Sequence, residues 1–192
     1  NFCGNELPDG MRKNEAFPDP IITPSTKAAQ GEHDESVAPS ELYKRGAVEP
    51  GLYKELARIS MRLYERGVAR AADHGMIFVD TKYEFGISNG KIMLMDEVNT
   101  PDSSRYWMKD DYEARFEKGE EPRKLDKEYV RTWLSEKGFT GKGKPPKLTD
   151  DLRVEASARY MEVVEKFTGE PMQLDVGPVD KSIYSILNPF AF

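Results

Sequence analysis

Residues 78 to 107 read FVDTKYEFGISNGKIMLMDEVNTPDSSRYW, and this stretch decides the fold. A short apolar run from Met76 to Val79 leads into it. Asp80, Lys82 and Glu84 then interleave with Thr81, Tyr83 and Phe85. Ser88-Asn89-Gly90 follows, and a second apolar run from Ile92 to Met95 ends in Asp96-Glu97. An Asn-Gly pair between two such runs predicts a β-hairpin, because that turn matches the twist of the strands it joins. Side chains alternate faces along a strand, so Asp80, Lys82 and Glu84 are expected to share one face. A hairpin that served structure alone would need no charges there.

Outward from this stretch the pattern is helical. Leu52, Leu56, Ile59, Leu63 and Val68 recur at helical spacing, which predicts a helix from Leu52 to Ala72 with Gly75 as its stop and His74 as a structural cap. Pro39-Ser40 marks a shorter helix start, which Pro50-Gly51 interrupts. On the other side, the stretch from Lys109 to Arg123 is dense in charge and reads as a solvated excursion. A helix beginning near Leu125, with Asp126 as its candidate N-cap, would present Tyr129, Val130, Trp133 and Leu134. Gly141 to Pro146 reads as a loop, since it lacks the spacing of a phosphate-binding loop. Thr149 caps a final helix from Asp150 to Thr168 that Gly169 ends, with Val154, Ala158, Met161, Val164 and Phe167 expected as its buried stripe. The fold class is therefore α+β, an antiparallel sheet with a central hairpin over about residues 76–96, packed by helices.

Three parts are expected. Residues 1–38, broken by Pro8, Pro18, Pro20 and Pro24, form an extended arm; residues 39–170 form the main lobe; residues 171–192 form an apolar tail. The chain has 192 residues, 38% of them hydrophobic and 32% charged, which suits a globular protein with a core. A net charge of −6 disfavours a nucleic-acid partner. No apolar run approaches the roughly 20 residues of a membrane helix. Cys3 is the one cysteine, which excludes an internal disulfide framework and fits a reducing, cytoplasmic setting. The chain opens without an initiating methionine or a signal peptide, which suggests a fragment or a chain cut from a precursor.

The chemistry concentrates in the opening stretch. Pairing through the Asn-Gly turn would bring Glu84 and Asp96 to one sheet end with Lys82 nearby. Two carboxylates and a lysine suit a magnesium and triphosphate site, because magnesium takes few protein carboxylates and leaves its remaining positions to water and phosphate. Pro101-Asp102-Ser103-Ser104-Arg105 adds hydroxyls and a guanidinium, the donors a second phosphate needs. A hairpin with surface ion pairs, each worth little, explains the strands equally well but leaves the dense PDSSR segment without a reason.

VDTKYEFG (Val79 to Gly86) and MDEVNTPDSSRYW (Met95 to Trp107) closely resemble the two signatures of the phosphoribosylaminoimidazole-succinocarboxamide synthase, or SAICAR synthetase, family. LPDG, TPSTKA, GEHDE and DKEYVRTWL resemble other parts of the same family, so the likeness spans nearly all of residues 1–168. The resemblance implies an enzyme of purine (IMP) biosynthesis. It would use ATP and Mg2+ to activate the carboxylate of a carboxyaminoimidazole ribonucleotide, which L-aspartate then attacks to form an amide. It also implies roles. Lys82, Glu84 and Asp96 would be catalytic, with Glu84 and Asp96 holding the metal. Asp102, Ser103, Ser104, Arg105, Lys127 and Arg131 would bind the nucleotide substrate. Lys27, Glu32 and Asp34 of the arm, with Lys82 and Asp96, would bind ATP. Lys127 and Arg131 lie four apart, hence on one helical face. Family members also carry an N-terminal, mostly β lobe that covers ATP. Its counterpart is not found in this chain, so either the sequence is a fragment of a longer precursor, or the lobe is a separate partner chain, or this protein has lost it; homo-oligomer formation is left open. The competing reading is a non-catalytic module of the same fold that binds a nucleotide or a partner chain.

Overall fold

The computed structural model describes residues 2–26 and 34–172, together with 177, 178, 181 and 188. The C-terminal tail therefore lies almost wholly outside the described residues. Among the described residues nine elements follow in order: α1 (Pro39–Lys44), α2 (Pro50–Asp73), β1 (Met76–Thr81), β2 (Glu84–Ser88), β3 (Lys91–Met95), β4 (Ser104–Met108), α3 (Tyr112–Glu117), α4 (Glu128–Glu136) and α5 (Asp150–Thr168). The class is α+β, as expected. Among the described residues no helix is long and apolar enough to cross a membrane.

The hairpin is present, but it is β2 and β3. Ser88 pairs with Lys91, and the two residues between them, Asn89 and Gly90, take the left-handed conformation with φ of 50° and 73°. That is the backbone a two-residue hairpin turn requires. β1 does not continue into this pair. It lies antiparallel to β4, with Met76 opposite Met108, Phe78 opposite Tyr106 and Thr81 opposite Ser104. The single expected sheet is thus two two-stranded sheets. A bulge between Phe78 and Asp80 and a break at 82–83 separate them. Strand pairing stops at that break, so the strict alternation of Asp80, Lys82 and Glu84 does not carry across it. Asp80 faces Arg105 across β4, whereas Lys82 meets Glu84.

α2 starts at Pro50, whose missing N–H costs nothing at that position, and gives way at Gly75 with φ of 71°. It lies against β1 through Tyr64, Gly67 and Ala71. Gly67 is needed there: a Cβ would come within 2.8 Å of the Phe78 ring. Val68, expected in the apolar stripe, is 36% exposed because this closer face is the one that packs. The core joins Ala71, Met76, Phe78, Tyr106, Met108, Leu125 and Val163, with Tyr64 and Phe167 against it. Phe78 and Tyr106 meet at 5.0 Å between ring centroids, and Tyr106 and Phe167 at 6.1 Å.

α5 begins and ends where expected. The Thr149 hydroxyl accepts from Leu152 N–H at 3.2 Å, and Gly169 has φ of 78°. Its buried face differs from the expected stripe. Leu152 and Val163 are buried with Phe167 beside them, while Val154 is 70% exposed and Val164 is exposed as well. Val154 lies two residues from Leu152, about 200° round the helix, so the two cannot share one face. The charged stretch after Trp107 also contains α3. Tyr112 and Phe116, four apart, stack there in series on Trp107, and Arg12 of the arm covers Phe116 at 3.9 Å. Lys13 pairs with Glu121 at 2.5 Å, and the Tyr112 hydroxyl donates to Asn14 O at 2.6 Å.

Candidate functional site

The candidate residues gather in two groups on either side of the loop from Asp96 to Ser103. The first sits at the open end of the hairpin. Glu84 opens β2 and stands opposite Met95, which closes β3, so Asp96 is the next residue past the pair. Asp96 is exposed and takes a left-handed backbone with φ of 62°. Such a conformation is uncommon outside glycine, although aspartate tolerates it better than most residues. Lys82 Nζ lies 2.7 Å from Glu84 Oε1 and 3.4 Å from Asp34 Oδ2. Its hydrogen bond to Glu84, with the charges of Glu84 and Asp34, holds the ammonium pKa above its ordinary value. Lys82 thus sits between a hairpin carboxylate and one from the arm.

Local structure explains how Asp34 arrives. Thr26 N–H donates to Glu35 O and Val37 N–H to Pro24 O, each at 3.0 Å, so residues 24–26 and 35–37 close a loop. Arg45 ties that loop to α1 by pairing with Glu35 at 2.7 Å and Glu41 at 2.9 Å. The other two arm residues expected in the site, Lys27 and Glu32, lie outside the described residues.

The second group is built on β4 and α4. Arg105 donates through Nε to Asp80 at 2.7 Å, and that bond raises its pKa. Lys127 Nζ stands 3.6 Å from Asp102, and Arg131 pairs with Glu128 at 2.6 Å. The Ser104 hydroxyl shares a hydrogen bond with Thr81 at 2.8 Å, while Ser103 N–H donates to Thr100 Oγ1 at 3.3 Å. The cations are therefore present but paired with neighbouring carboxylates, a set of surface pairs that an incoming anion could exchange at modest cost.

Three contacts join the groups. Lys82 N–H donates to Ser103 O at 3.1 Å. The Tyr83 hydroxyl donates to Asn99 Oδ1 at 2.7 Å, and the Tyr106 hydroxyl to Asn99 O at 2.6 Å. Burial pushes the Tyr83 pKa up to about 12, so it remains a donor. Asn99, with φ of 59°, receives both of these hydroxyls, a role its residue type alone does not signal. Asp80 and Asp126 also act here beyond the expected set. Asp126, expected as a helix cap, also accepts from Tyr106 N–H in β4. Among the described residues, no group of three or more His, Cys, Asp or Glu side chains could hold a metal by itself.

Known proteins match this chain along most of its length. A family model described as SAICAR synthetase matches residues 2–147. A phosphoribosylaminoimidazole-succinocarboxamide synthase of Bacteroides thetaiotaomicron is 52% identical over 171 residues, 88% of this chain and 54% of that relative. A solved SAICAR synthase from Saccharomyces cerevisiae, complexed with SAICAR, superposes with a TM-score of 0.72 at 34% identity and covers 90% of this chain. A SAICAR synthetase solved with ADP superposes with a TM-score of 0.62 at 25% identity, over 85% of this chain. The chain spans about half the length of the curated relatives it matches, 54% for the Bacteroides protein.

Proposed function

Since this chain belongs to the SAICAR synthetase family, we propose that it carries one wall of an ATP-dependent ligase. The ligase joins L-aspartate to 5-amino-1-(5-phospho-D-ribosyl)imidazole-4-carboxylate, giving SAICAR, ADP and phosphate. The observation that carries this reading is the hairpin register, which pairs Glu84 with Met95 and so leaves Asp96 one residue past that pair, with Lys82 2.7 Å from Glu84. We also propose a cytoplasmic setting, which a single cysteine suits, and a place in purine (IMP) biosynthesis.

The chemistry has two steps. A carboxylate is a poor acyl donor, so one of its oxygens first takes the γ-phosphoryl group of ATP and ADP departs. The aspartate amine then attacks the acyl carbon, the C–O bond to phosphate breaks, and the amine proton is lost as the amide forms. Phosphoryl transfer depends mostly on positioning and charge neutralisation. Lys82 is placed to balance charge on the transferred phosphoryl group and the substrate carboxylate. Glu84 and Asp96 fit a magnesium ion, which takes one or two protein carboxylates and draws its other ligands from phosphate and water. When held by Glu84 and Asp96, that ion would offset the negative charge of the phosphates. Arg105, Lys127 and Arg131, with Ser103, Ser104 and Asp102, receive the ribose phosphate and the ring substituents. Asp34, with Lys27 and Glu32, belongs to the arm that closes over ATP.

We assign the opposite wall to a further lobe, on the same precursor or a separate chain. The exposed apolar hairpin supports this: Ile87 is 57%, Met93 49% and Met95 43% exposed. An isolated two-stranded hairpin is marginal in water unless something packs on it. Closure would also exclude water from the activated carboxylate.

The test mixes the chain with ATP, magnesium, the imidazole carboxylate ribonucleotide and L-aspartate, and follows aspartate-dependent ADP release. Release from the chain alone, or release that appears once the other lobe is added, supports the ligase. No release in either mixture overturns it.

A further inference from the structure

Asp126 is 1% exposed, and its two carboxylate oxygens serve two different elements. Oδ1 accepts from Glu128 N–H at 2.8 Å, in the first turn of α4. Oδ2 accepts from Tyr106 N–H at 2.9 Å, in β4. We infer that Asp126 is a positioning residue of the anion-binding end: it fastens the helix that follows Lys127 and carries Arg131 to the strand that carries Arg105. The inference rests on the reading of those three cations as a phosphate-binding set.

The placement is specific. Tyr106 follows Arg105, and Glu128 follows Lys127, so each bond fixes the backbone beside a cation. Residues 123–125 already run along β4, with Met108 N–H donating to Arg123 O at 3.0 Å and Leu125 N–H to Tyr106 O at 2.9 Å. The chain then turns into α4, and the Asp126 side chain continues the ladder where the backbone no longer can. Both backbone groups of Tyr106 are thereby gripped by adjacent residues of one segment. Lys127 N–H, donating to Pro101 O at 3.4 Å, attaches the same corner to the loop that holds Asp102 and Ser103.

A cap alone does not explain a buried carboxylate. Serine, threonine or asparagine would cap the helix without the cost of burying a charge. What the carboxylate adds is a second acceptor oxygen aimed at β4. Burial pushes the Asp126 pKa up, so the charge is held against a desolvation cost that a plain cap would avoid. The two possible roles have opposite signs. If Asp126 acted only through its charge, removing it would relieve repulsion and tighten anion binding. If it acts by holding the cations in place, removing it weakens binding.

Asp126→Ser separates these roles while keeping the fold, because serine retains the cap on Glu128 but cannot also reach Tyr106. Asp126→Asn serves as a second variant that retains size. The full chain and both variants are compared by amide hydrogen exchange and by titration with ribose 5-phosphate well below their melting temperatures. In Asp126→Ser the Tyr106 amide is expected to lose protection while Glu128 keeps it. Ribose 5-phosphate is expected to bind about tenfold more weakly, the scale on which an orienting partner affects the group it holds. Unchanged or tighter binding, or a Tyr106 amide that stays protected, overturns the inference. If the wild-type chain itself fails to bind ribose 5-phosphate, the phosphate reading falls and takes the inference with it. That outcome is distinct from a variant that binds as the wild type does.

Discussion

The hairpin end and the β4–α4 corner carry charges of similar density, but they are supported in opposite ways. Lys82, Glu84 and Asp96 ride on a two-stranded hairpin whose outer side chains are largely exposed. Arg105, Lys127 and Arg131 stand on a corner whose backbone is locked by buried Tyr106, Leu125 and Asp126. On the proposed reading, the difference gives them different work. A fixed corner suits a phosphate that is held unchanged through a reaction. An exposed hairpin end, which the proposed second lobe would cover, suits the phosphoryl group that moves.

Truncation should break this contrast first. Tyr106→Ala removes a fully buried ring that touches Phe78 and Phe167, and a loss of about 3–5 kcal/mol is expected in chemical denaturation. Met93→Ala on the hairpin should stay within about 0.5 kcal/mol. Equal losses at the two positions would contradict the contrast.

The next effect is on activity. Lys82→Met in the assembled enzyme should lower aspartate-dependent ADP release by about 10²–10³-fold, the scale of losing one group that stabilises transition-state charge. Its thermal midpoint should barely move, since the side chain is 55% exposed. Asp96→Asn should weaken magnesium-dependent ADP binding by about tenfold or more, because even outer partners of metal ligands are worth that much. Calorimetry would check this, and a large fall in thermal stability instead would mark Asp96 as structural.

The smallest effect concerns the arm. Glu121 bonds to Lys13 and Lys124, which pulls its pKa from 4.5 down to about 2. A depressed carboxylate stabilises the folded state above its unfolded pKa, and the contribution is lost as pH falls from 4.5 towards 2. In a Trp133→Phe chain, acid titration followed by Trp107 fluorescence should show part of its change in that window, and adding Glu121→Gln should flatten it. Glu121 is half exposed, so the change is small. An identical curve for the variant would show that this clamp does not hold the arm.

The same contrast explains what could be read from the sequence. The Asn89-Gly90 turn fixes its hairpin locally, so the approach of Glu84 to Asp96 follows from a few adjacent residues. The family signatures likewise lie in contiguous runs. The pairing of β1 with β4 joins Met76 to Met108 across the intervening hairpin and loop, and the bulge at Phe78 leaves no mark in composition. Asp126 shows itself as a cap through its neighbours, but its bond to Tyr106 exists only once two distant segments meet. α5 carries apolar residues on more than one face, so only packing decides that Val163 rather than Val164 is buried. α3 was hidden because acidic and basic residues surround Tyr112 and Phe116.

The most direct test of the ligase account uses substrate labelled with ¹⁸O in the imidazole carboxylate, supplied to the assembled enzyme with ATP and L-aspartate. Mass spectrometry of the released phosphate should find one ¹⁸O atom per turnover, because the carboxylate oxygen leaves with the phosphoryl group. Phosphate that carries no label would contradict the account.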